Sequence, residues 1–119
     1  MKTRILQIFD RGVPYKERLA FSVINDCKLD EFIVFNTKYE NPSAINARPL
    51  NTFWFTSKLV KAGDEVVLYT GSGISAETDK PDGTKIHTFY WGLQNTLWNT
   101  TGDCAVLFEI NNWQTTLFE

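Results

Sequence analysis

Hydrophobic and polar positions alternate along most of this chain with a period of two, and no long stretch carries the 3.6 period of a helix, so the elements they predict are strands. Glu65 to Thr70 is the clearest: Val66, Leu68 and Thr70 share one face, and Glu65, Val67 and Tyr69 the other. Ala62-Gly63-Asp64 reverses the chain before it, with a glycine that accepts positive φ beside a side chain that bonds its own backbone. After it, Gly71 to Pro81 reads as a flexible loop. Within that loop Gly71-Ser72-Gly73-Ile74-Ser75-Ala76 spells the turn of a dinucleotide-binding unit. Pro81 follows too soon for the helix that such a turn must open, and no acid lies about 20 residues on, so the phosphate reading falls.

The same reading places strands at Thr3–Phe9, Leu19–Asn25, Glu31–Thr37, Thr52–Thr56, Lys85–Trp91, Cys104–Ile110 and Trp113–Phe118. Leu19, Phe21 and Val23 point inward; Phe32 and Val34 against Ile33 and Phe35 make the third strand apolar on both faces, as in a central strand. Phe53 and Phe55 oppose Trp54, and Ile86, Thr88 and Tyr90 oppose Lys85, His87, Phe89 and Trp91. Cys104, Val106, Phe108 and Ile110 are expected inward, and Asn111-Asn112 is expected to turn the chain into the last strand. Pro81-Asp82-Gly83 is a turn with proline, aspartate and glycine in their preferred places, while the two prolines of the Tyr39–Pro49 loop restrict any strand there to a short or edge position. Eight short strands separated by turn signals imply an all-β fold, a sandwich of mostly antiparallel strands, in a single domain covering residues 1–119.

Composition narrows the function classes. Twelve basic and fourteen acidic side chains leave a formal charge of −2, so no overall positive field draws the protein to nucleic acid or anionic lipid. The first ten residues are interrupted by Gln7 and Asp10, too soon for a signal peptide, and no segment approaches a membrane span; a cytoplasmic location and no membrane contact are expected. Cys27 and Cys104 are far apart, without C-x-x-C spacing; they read as reduced thiols, with a bridge left open in an oxidising compartment. One histidine, His87, limits catalysis, and it reads as a partly buried strand residue. No finger-like ligand spacing supports zinc, and Glu77, Asp79 and Asp82 read as a solvated acidic loop rather than a calcium site, so no metal or other cofactor is expected.

Three stretches, in order, resemble the lamin tail domain family: Glu31-Phe32-Ile33-Val34-Phe35-Asn36; Phe53 to Tyr69 with Leu59-Val60-Lys61-Ala62-Gly63; and Gln94 to Asp103, with its Trp98 and Gly102-Asp103 turn, followed by Ala105-Val106-Leu107. They span residues 31 to 118. The chain departs from the family's Gly-Trp pair and apolar strand between Asn36 and Phe53. The resemblance implies an immunoglobulin-like β-sandwich used as a non-catalytic interaction module, and it makes Trp98 a core residue. The expected partner is a protein, bound through an exposed aromatic edge or the 71–81 loop, and strand addition at a free edge would also allow a homodimer. Candidate contact residues are Trp54, Trp91, Tyr90, Tyr69, Gly71 and Gly73, with at least one of Trp54 and Trp91 facing outward. The alternative from another class is a nucleic-acid binder using Lys58, Lys61, Lys80 and Lys85, although no basic run interleaved with aromatics supports it. An enzyme ranks third.

Overall fold

A computed structural model of the chain describes residues 1–118. Eleven strands and one 3₁₀ turn follow in order: β1 (Thr3–Phe9), β2 (Arg18–Val23), β3 (Cys27–Lys28), the turn Leu29–Glu31, β4 (Phe32–Asn41), β5 (Ala44–Ile45), β6 (Asn51–Trp54), β7 (Leu59–Val60), β8 (Glu65–Tyr69), β9 (Ala76–Asp79), β10 (Lys85–Tyr90) and β11 (Asp103–Glu109). They form an all-β sandwich. A five-stranded sheet runs β1-β2-β8-β10-β9, and a smaller one runs β11-β4, with β5 and β6 sharing the far side of the long β4. β3 and β7 make a separate two-stranded pair. All pairings are antiparallel except β8 with β10. Among the described residues no helix is long and apolar enough to cross a membrane.

The alternation that announces each strand also decides what it buries. Leu19, Phe21 and Val23 of β2, Val66 and Leu68 of β8, and Phe89 of β10 line the inner face of the large sheet; Phe32 and Val34 of β4 face them. Between the layers runs an aromatic series in mostly edge-to-face contact: Phe21–Phe55 at 5.7 Å, Phe55–Phe89 at 5.3 Å, Phe53–Phe55 at 4.9 Å, Phe53–Trp91 at 5.8 Å and Trp91–Trp98 at 6.4 Å. Each fully buried phenylalanine contributes on the order of 2–3 kcal/mol. Trp98 is buried in this core, as the resemblance implies. The two expected turns are present: Gly63 has φ 94° and Gly83 φ 88°, and Asp82 accepts the Thr84 amide at 3.0 Å.

Three expectations are corrected. The 71–81 stretch is not loop throughout: β9 pairs with β10 as a four-residue edge strand, its side chains Ala76-Glu-Thr-Asp79 all exposed and so without an apolar signal. β11 has the opposite phase to that expected, because Leu107 stands opposite inward Val34 and Val106 opposite outward Phe35; Ala105 and Leu107 pack on the core, while Phe108 lies outside against Phe35 at 5.0 Å. No hairpin forms at Asn111-Asn112 and no strand at 113–118, since Trp113 instead crosses to meet Trp54 on β6. Cys27 and Cys104 are both free, and burial pushes both thiols up from their ordinary range.

Candidate functional site

The expected contact residues fall on three different surfaces. Tyr69 of β8 and Tyr90 of β10 are cross-strand partners on the outer face of the large sheet, with ring planes 15° apart and centroids 5.1 Å apart. The same row continues through Arg18 to Phe9, Arg18 lying opposite both Tyr69 and Phe9 in register. Its guanidinium stands 5.0 Å from the Phe9 ring and 5.6 Å from that of Tyr69, and it donates to Asp10 at 2.8 Å. Gly73 closes the row. A Cβ at that position would lie 2.3 Å from Tyr90 Cε1, so the glycine backbone rests directly on the ring. Gly71 sits nearby against Tyr15. Trp91 is turned inward, packed on the core beside Phe53.

Trp54 is the outward residue of the Trp54/Trp91 pair. It lies on the outer face of the small sheet, opposite Ile33 of β4, which in turn stands opposite Phe108 of β11. Trp113 comes across to Trp54 edge-on, with centroids 4.9 Å apart. Trp54 Nε1 donates to the Asp30 carbonyl at 2.8 Å, which fixes the indole's polar edge and leaves its apolar body at the surface. Trp54, Phe108 and Trp113 remain 45%, 52% and 59% exposed. Sequence reasoning missed Phe108 because β11 is apolar on both faces, so hydrophobicity alone does not set its phase.

The lysines of the alternative reading are drawn to one region, and with them come acids. Lys58 pairs with Glu77 at 3.2 Å, Lys80 with Glu65 at 3.8 Å, and Lys85 with Asp79 at 2.9 Å and Glu77 at 3.6 Å. Among the described residues Lys61 alone of the four has no ion-pair partner.

Beside these lysines a cleft of about 330 Å³ is lined by Lys61, Asp64, Glu77, Thr84, Lys85 and His87 among others. Asp64 sits where the chain enters β8, and its carboxylate accepts the Lys61 amide at 3.1 Å and the Lys85 amide at 3.0 Å. His87 Nε2 lies 2.8 Å from Asp64 Oδ2; an ionised carboxylate only accepts, so Nε2 carries the proton. Burial alone would raise the Asp64 pKa, but the bonds from His87 and the two amides outweigh it and hold the carboxyl below its usual value. On the other side Nδ1 is buried without a hydrogen bond, 3.4 Å from Glu77 Oε1. Thr84, the hydroxyl among the lining residues, donates to Asp82. The cleft thus holds an acid–base pair whose visible work is to tie the start of β8 to β10. Asp82 is engaged by Thr84, Glu77 and Asp79 by lysines, and no group of three or more His, Cys, Asp or Glu side chains is placed to hold a metal among the described residues.

Glu17 also escaped the sequence reading, since Lys16-Glu17-Arg18 looks like a solvated run. It is fully buried, and its carboxylate accepts the amides of Gly12 at 2.7 Å, Leu97 at 2.7 Å and Trp98 at 3.0 Å. Three amides around one carboxylate replace the water it has lost and join the β1–β2 loop to the segment that carries Trp98. No protein-family model matches this chain, and no curated protein matches it.

Proposed function

We propose that this chain is a non-catalytic protein-binding module of the lamin-tail type, whose contact surface is the outer face of the small sheet around Trp54. The observation that supports this reading is the convergence of Trp54, Phe108 and Trp113, from three separate segments, on one outward face where each stays about half exposed. Partly exposed tryptophans on a rigid sheet lose little conformational freedom on binding and are the side chains most often found at the centre of interfaces. The departure from the family pattern, residues 36–53, ends on the strand that carries Trp54. The aromatic face is preferred to the 71–81 segment, where Gly73 is already packed on Tyr90. It is preferred to nucleic acid because three of the four lysines are neutralised by carboxylates, which would repel phosphates.

The test is capture from a native lysate by tagged protein, with and without nuclease. A protein that survives nuclease and is lost on Trp54→Ala, with roughly 30-fold weaker binding, fits a hot-spot tryptophan. Unchanged capture by a folded Trp54→Ala variant removes this face from the interface. Capture that vanishes entirely with nuclease transfers the reading to nucleic acid.

A further inference from the structure

The β1–β2 loop combines backbone strain with an exposed side chain in a way that packing does not explain. Asp10 (φ 49°) and Tyr15 (φ 65°) are the two non-glycine residues with positive φ among the described residues. Aspartate tolerates that region; a tyrosine is rarely found there, because its Cβ crowds the backbone. Such a residue persists when its surroundings over-determine it, and they do. Val13 and Glu17 donate backbone bonds to Asp10 and Val13 carbonyls at 3.0 Å each, Lys16 donates to Val13 at 3.1 Å, and the Glu17 carboxylate holds Gly12 from inside. None of these bonds involves the Tyr15 ring, which is 84% exposed. The loop would keep its shape with glycine or asparagine at this position.

Charge gives the loop a direction. Its two acids are engaged, Asp10 by Arg18 and Glu17 by three backbone amides. Arg11 and Lys16 remain exposed on either side of Tyr15; among the described residues neither has a carboxylate within ion-pair distance, and Arg11 reaches only the Thr100 carbonyl at 3.3 Å. On a chain of net charge −2 this is a local positive spot around an aromatic whose backbone is fixed. Val13, 40% exposed, and Pro14 complete its apolar centre. We propose that the Arg11–Lys16 loop is a second, preformed recognition element that inserts Tyr15 into an apolar socket rimmed by Asp and Glu on a protein partner. The loop is ordered before binding, so little freedom is lost on contact, and the two cations set the sign of the partner.

Two measurements test this, the first without any partner. Thermal unfolding of Tyr15→Gly and Tyr15→Asn is expected to give a Tm equal to or above that of the parent, by up to roughly 4 °C, as left-handed strain is relieved. A fall in both variants would mean that the ring holds the loop together, and the proposal would be overturned. In the second, full-length protein with p-benzoylphenylalanine in place of Tyr15 is irradiated in native lysate. The expected result is an adduct on a peptide in which acidic residues flank apolar ones, with a yield that drops at least tenfold when Arg11 and Lys16 are both changed to Ala. No adduct, an adduct on a peptide without acids, or a yield indifferent to the two cations would each overturn it. The outcome is separate from that at Trp54, which lies on the other sheet.

Discussion

The two outer faces of the sandwich are both aromatic, yet their rings keep different company. On the large sheet, Phe9, Arg18, Tyr69 and Tyr90 form one cross-strand row: the guanidinium covers Phe9 and Tyr69, the tyrosines stack on each other, and Gly73 rests on the second. On the small sheet, Trp54, Phe108 and Trp113 touch one another or Phe35 edge-on and leave about half their surface to solvent. Equal aromatic content therefore does not make equal surfaces. A ring whose faces are taken by its own molecule stabilises the fold; a ring with an open face is available to another.

The largest effect should fall on the large sheet itself. Asp64 joins its β8 and β10 strands, and Asp64→Ala would leave the His87 Nε2–H and two amides unpaired, at a cost of about 3 kcal/mol. Its pH dependence has a definite sign. The folded pKa lies below the unfolded value of about 3.9, so the stabilisation is complete above roughly pH 4 and is lost as pH falls through the depressed folded value. Acid titration of stability in Asp64→Asn should lack this component; an unchanged acid limb would show that the carboxylate is not stabilised in the fold.

Next comes Gly73→Ala, which places a methyl inside the Tyr90 ring contact and should cost roughly 2 kcal/mol, a Tm drop of about 10 °C, without weakening partner capture. If Tm holds, Gly73 does not close the row. Arg18→Ala removes a cation from two rings and a partly exposed ion pair, for a loss near 1 kcal/mol in denaturant unfolding. Trp54→Ala should change stability least, by less than about 1 kcal/mol, while losing the most binding. A stability loss at Trp54 larger than that at Gly73 would reverse the contrast between the faces.

How much of this was legible in the sequence depends on whether each signal was local. β2, β8 and β10 are legible because burial on one face writes a period of two into five or six neighbouring residues, β4 because it is a continuous apolar run, and the turns at Gly63 and Gly83 because positive φ selects glycine. β9 is not, because an exposed edge strand needs only backbone bonds to β10. The phase of β11 and the misplaced last strand fail for one reason: the small sheet's outer face is itself apolar, so Phe108 and Trp113 look like core. The Trp54 surface was half legible, as alternation set Trp54 against Phe53 and Phe55 but said nothing of Phe108 and Trp113. Glu17 and the Asp64–His87 pair were invisible, since their partners lie far along the chain and only folding brings them together.

The parallel pairing of β8 and β10 has a consequence for how the chain emerges during synthesis. β10 lies between β8 and β9 in the sheet but follows both in sequence, so β9 meets its strand partner when β10 appears. Until then the nascent chain presents β8, with its Val66 and Leu68, as an unfinished border already paired to β2 on one side. The hairpin of β9 and β10 must arrive as a unit and slot in behind. A chain released before Lys85 would therefore carry the three strands β1-β2-β8 with the β8 edge open, a template for pairing with other chains.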